Sequence, residues 1–72
     1  MTRTEHNAQT VALVAAAERD YQRGRFEDAA GQWRIVVRYA ECAGNEALAI
    51  TARVAADTCA ALAAIAAPVC YA

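Results

Sequence analysis

The residues Gly24 to Ala40, GRFEDAAGQWRIVVRYA, hold the one Phe, the one Trp and one of the three Tyr residues of the chain. Counting from Phe26, the residues Ala29, Ala30, Trp33, Val36, Val37 and Ala40 follow at offsets of 3, 4, 7, 10, 11 and 14. Those offsets trace one face of an α-helix. Trp33 is the largest apolar side chain in a chain otherwise rich in Ala. The stretch reads as a central helix onto which the remaining residues pack.

Its limits are set by two glycines. Gly24 suits a left-handed cap that ends a first helix, and Gly44 repeats that role for the second. Asn45 is a good N-cap, and Glu46 complements the dipole of a third helix. Glu27 and Asp28 do the same in the first turn of the second. The expected elements are helices over 8–23, 26–43 and 46–67, with no strand. Residues 1–7 read as a frayed polar lead, with Asn7 or Thr10 as the first cap. Pro68 stops the third helix, leaving a tail over 68–72. The domain is therefore 8–67, an all-α antiparallel hairpin plus one more helix.

The expected core is Tyr21, Phe26, Ala30, Trp33, Val37, Ile50 and Val54. On the first helix Val11, Val14, Ala17 or Glu18, and Tyr21 share a stripe. On the third, Ile50, Val54, Thr58, Ala61 and Ile65 form one row, with Leu48, Ala55, Cys59 and Leu62 beside it. Gly31 stands inside a helix, where Gly costs ~1 kcal/mol relative to Ala. A neighbouring backbone passing close by is the expected reason.

Seventy-two residues make one small domain. A chain of this size buries only about 60% of its unfolded surface, so a partner chain is an expected supplement to its stability. The formal net charge of −1 lacks the basic excess usual in nucleic-acid binders. All the basic residues are Arg. Arg34 and Arg38 share an outer ridge, and as a pair they are candidate interface residues. A helix-turn-helix reading would use the same two, but Glu27 and Asp28 would then face the phosphates. No direct contact with nucleic acid is expected.

Cys42, Cys59 and Cys70 are too far apart in sequence for a zinc site, and His6 is the single His. No metal and no cofactor are expected, and Cys42 and Cys59 read as small core hydrophobes in a reduced cytoplasm. No pairing of acid and base suggests an enzyme. The run from Thr58 to the end carries no charge, and Cys59 to Val69 is apolar all round. Eleven residues are too few to span a bilayer, which needs about 20. The expectation is a protein-facing surface around Leu62 and Ile65, most simply a homodimer contact, and no membrane.

The series Gly24-x-Phe26-x-x-Ala29-x-x-x-Trp33 resembles the middle of a tetratricopeptide-repeat hairpin. Ala17-Glu18, Gly24-Arg25-Phe26, Ala29-Ala30, Trp33, Ala40, Asn45, Arg53 and Cys59 together resemble the pattern of the small AraC-negative regulators, the ANR family. Leu48 stands where that pattern has an aromatic residue. The resemblance implies a helical regulator that binds an AraC-type activator or a nucleoid protein, with the matching residues as scaffold. An inhibitor from a phage or mobile element, such as an anti-CRISPR protein, has the same size and helicity and is the alternative.

Overall fold

A computed structural model describes the backbone of residues 3–66 and the side chains of 8–66. The chain is all-α, with three helices and no strand among the described residues. Helix α1 is Arg3–Gln22, α2 is Phe26–Ala43 and α3 is Glu46–Ala66. Helix α1 begins before its expected start, so Asn7 and Thr10 lie within it and neither caps it. The expected tail over 68–72, with Pro68 and Cys70, lies outside the described residues.

Both connections are glycine-capped turns of one design. Gly24 and Gly44 have φ of 77° and 73°. At the first turn the N–H of Gly24 donates to the Tyr21 carbonyl over 3.0 Å, and that of Arg25 to Asp20 over 2.8 Å. At the second, Gly44 donates to Glu41 over 3.1 Å and Asn45 to Ala40 over 2.8 Å. This double bond is the Schellman arrangement, which satisfies carbonyls that a helix end leaves open. Asn45 then caps α3: its Oδ1 accepts from the Leu48 N–H over 3.2 Å.

Helix α2 packs against both neighbours, while α1 and α3 barely meet. The molecule measures 48 × 18 × 14 Å with a radius of gyration of 13.2 Å. About 11 Å is expected for a globular chain of this length. With α1 and α3 barely in contact, α2 is the main cover for each of them.

What fills the contacts is mostly small. Ala29, Ala30, Val36 and Ala40 of α2 are buried, as are Ala49, Ala52, Ala56 and Cys59 of α3. Ala17 and Thr10 are the buried residues described on α1. Ala30 and Cys59 are in the core cluster, with Trp33 and Ala60 packed on it. Phe26, Trp33 and Val37 are half-buried. Three expected core residues are not in it: Tyr21 is 46% exposed, Ile50 59% and Val54 61%. On α3 the Ala row faces α2, because Ala lets two helices approach closely. Ile50 and Val54 stand about 180° away on the helical wheel, where no element covers them. On α1, Val14 and Ala17 turn inward as expected and Thr10 joins them, while Val11 and Tyr21 are exposed.

Two smaller expectations are corrected. Cys42 is exposed and, of the two described cysteines, Cys59 is buried, since Cys42 stands about 120° round α2 from the buried Val36. A Cβ added at Gly31 would meet nothing within 4 Å, so no close backbone explains that glycine.

Candidate protein-binding surfaces

Helices α1 and α3 stand on either side of α2, and between them lies a cleft of about 370 Å³. Trp33 of α2 lines it together with Glu18, Tyr21 and Gln22 of α1 and Ala55, Thr58 and Cys59 of α3. Trp33 is placed there by the helix period, one turn beyond the buried pair Ala29 and Ala30. Tyr21 is held by an edge contact with Phe26, with ring centroids 5.5 Å apart and planes at 67°. Gln32 Nε2 donates to Asp20 Oδ2 over 2.8 Å, which ties α1 to α2 beside the cleft. Glu18 is the one carboxylate in the lining. Desolvation by burial pushes the Cys59 thiol above its ordinary value of 9.0.

The second surface is the outward side of α3. Ile50, Val54, Ala61 and Ile65 lie on one stripe, and Ile65 is 70% exposed. Arg53 and Asp57 border it on one edge and Thr58 on the other. Arg53 Nη2 is 3.1 Å from Glu41 Oε2 in an exposed ion pair, worth little by itself.

The four candidate interface residues lie on different parts of the surface. Arg34 and Arg38 are exposed on α2. Arg34 shares a shallow hollow with Glu27, Ala30, Ala60, Ala63 and Ala64. Leu62 is half-buried on the cleft side of α3, and Ile65 is on its outward stripe. Trp33 was legible only as a core residue; its partial exposure comes from α1 and α3 standing apart.

Among the described residues no group of three or more His, Cys, Asp or Glu comes together. Helix α3 as a whole is long and apolar enough to cross a membrane by length and composition, which the shorter uncharged run is not. An 18-residue window of it has mean hydropathy 1.6, with 22% of that window buried. Arg53 and Asp57 stand in the interior of α3, and each charge at the middle of a spanning helix costs about 2.5–3.5 kcal/mol on insertion. That cost weighs against lipid as the cover for this face.

Comparison with protein-family models, with curated proteins and with solved structures returns no match.

Proposed function

We propose that the protein is a small cytoplasmic regulator that acts by binding another protein, with no chemistry of its own. The observation that carries this reading is Trp33, a half-buried aromatic in an open cleft between two helices. Large aromatics in such pockets are the residues on which protein interfaces concentrate binding energy. Apolar walls with few polar groups are the usual make-up of a binding cleft. A target segment with an apolar anchor for Trp33 and a basic residue for Glu18 fits the lining.

The motif correspondence with the AraC-negative regulators supports an AraC-type activator as the target. Titration calorimetry of the chain against such an activator tests this. Glu18→Arg and Gln22→Arg, both at exposed positions on α1, are expected to weaken binding about ten-fold with helicity unchanged. Absence of binding would overturn the choice of target. Equal binding by the wild type and both variants would overturn the choice of cleft.

A further inference from the structure

The cleft between α1 and α3 sets two aromatic rings beside one carboxylate and has no basic residue in its lining. Trp33 comes from α2, and Glu18 and Tyr21 come from α1. Glu18 and Tyr21 are one turn apart, which puts them on the same side of that helix. Arg19 and Arg23 follow Glu18 and Gln22 in sequence, but each stands about 100° further round α1 and neither lines the cleft. Among the described residues Glu18 has no ion-pair or hydrogen-bond partner. Resting on the reading of this cleft as the target-binding site, we propose that it receives an arginine side chain of the target protein. The guanidinium lies against the Trp33 ring and donates to the Glu18 carboxylate.

An aromatic ring is negative on its face, so a cation set over Trp or Tyr is attracted to it. A carboxylate beside the rings adds a charge-assisted hydrogen bond. The remaining polar groups choose among cations. The Gln22 amide oxygen and the Thr58 hydroxyl oxygen accept hydrogen bonds, as the Glu18 carboxylate does. A guanidinium carries several N–H donors in one plane, so it can stack on a ring and donate from its edge. A quaternary ammonium has no donor and leaves those acceptors facing an apolar surface. A lysine ammonium has donors, but it is compact and strongly hydrated, so it loses more on leaving water.

Size and layout fit such a side chain. The cleft volume of about 370 Å³ is at the small end of ligand pockets, which run roughly 300–1,000 Å³. It has room for one long side chain. Ala55 and Cys59 of α3 supply an apolar floor, and Cys59 is 2% exposed. Glu18, Gln22 and Thr58 are exposed, so the polar groups stand at the rim above that floor. An arginine stem can cover the floor while its charged head stays at the rim. The edge contact with Phe26 holds the Tyr21 ring, so this wall is in place before a ligand arrives, which lowers the cost of binding.

Trp33 is the one Trp of the chain, so its emission and its indole N–H resonance report on the cleft without a label. The probes are a blocked tripeptide with arginine between two alanines, and the same peptide with citrulline or lysine in the centre. Citrulline keeps the shape of arginine and lacks its charge. The arginine peptide is expected to saturate both signals in the millimolar range. It should bind about ten-fold tighter than the citrulline peptide and about three-fold tighter than the lysine peptide. Glu18→Gln, at an exposed position, is expected to weaken it about five-fold with an unchanged far-UV circular dichroism spectrum. Glu27→Gln, an exposed carboxylate outside the cleft, should leave it unchanged. Equal binding of the arginine and citrulline peptides would overturn the proposal, as would indifference to Glu18→Gln. Free arginine binding as tightly as the peptide would overturn the protein source in favour of a small guanidino compound. The probes contain no activator, so the two readings fail separately. A cleft that binds the activator and ignores the arginine peptide sinks the arginine assignment alone. An arginine peptide that binds where the activator does not supports the assignment and sinks only the choice of target.

Discussion

Gln32 and Asp20, twelve residues apart in sequence, are joined by a 2.8 Å hydrogen bond from the Gln32 amide to the Asp20 carboxylate. The same Asp20 accepts the Arg25 N–H through its main-chain carbonyl, at the turn between α1 and α2. One residue thus closes the turn with its backbone and ties α1 to α2 with its side chain. Gln32→Ala is expected to cost about 0.5–1.5 kcal/mol, the usual net value of such a bond. Urea unfolding of Gln32→Ala, Asp20→Ala and the double variant checks it. If the two losses simply add, the bond contributes nothing to stability.

The three glycines should respond to alanine with opposite signs. Gly31 is helical and a Cβ there meets nothing within 4 Å. Gly31→Ala is therefore expected to stabilise by up to about 1 kcal/mol, or about 4–8 °C in Tm for a domain of this size. Gly24 and Gly44 sit at positive φ, where an L side chain costs about 1–2 kcal/mol. Alanine at either should lower Tm. Thermal melts of the three variants decide the matter, and a stabilising Gly44→Ala would contradict the turn geometry.

Those turns were legible because a left-handed glycine before Asn45-Glu46 is a local signal that needs no tertiary context. The limits of α2 follow from the same signal, and both expected ends coincide with the observed ones. The inward side of α3 was not legible. Its apolar residues run nearly all round, and periodicity marks where an apolar face lies without marking which part of it is covered. Ile50 and Val54 outweigh Ala49, Ala52 and Ala56 in hydrophobicity, yet the alanines face α2. Small residues on the covered side let the two helices approach closely, and the larger aliphatics stand on the uncovered side. The cleft was missed for a related reason. Trp33 as a core residue is a statement about α2 alone, and its exposure depends on the distance between α1 and α3.

Val36 and Ile50 separate the observed core from the expected one. Val36 is fully buried and Ile50 is 59% exposed. Val36→Ala is expected to cost about 2 kcal/mol, as deletion of buried methyl groups does. Ile50→Ala should change monomer stability by less than about 0.5 kcal/mol. Trp33→Ala, truncating a half-buried ring, is expected to cost about 3 kcal/mol, and Arg34→Ala next to nothing. Denaturation at a concentration low enough to keep the chain monomeric is the measurement. Ile50→Ala as costly as Val36→Ala would show that α3 is rotated from its observed orientation.

The thiols provide the last test, because they report burial without any substitution. Cys42 is exposed and Cys59 is buried against Ala29 and Ala30. Burial raises the Cys59 thiol above its ordinary value of 9.0. The reactive species in alkylation is the thiolate, so Cys59 is slowed both by access and by a smaller ionised fraction at neutral pH. A short iodoacetamide pulse followed by peptide mass spectrometry should label Cys42 and spare Cys59, with Cys59 labelled fully in urea. The same shift has a consequence for stability. Its sign follows from the native state holding the Cys59 proton more tightly than the unfolded chain does. The stabilisation linked to that thiol is complete below pH 9.0 and is lost as pH rises through the native value. Unfolding midpoints should therefore fall as pH rises above 9.0, and less so in Cys59→Ala, which keeps a small apolar group against Ala29 and Ala30. If Cys59 reacts as fast as Cys42 in the folded protein, α3 is not seated on α2 at this point, and the cleft bounded by Cys59 and Trp33 is not formed.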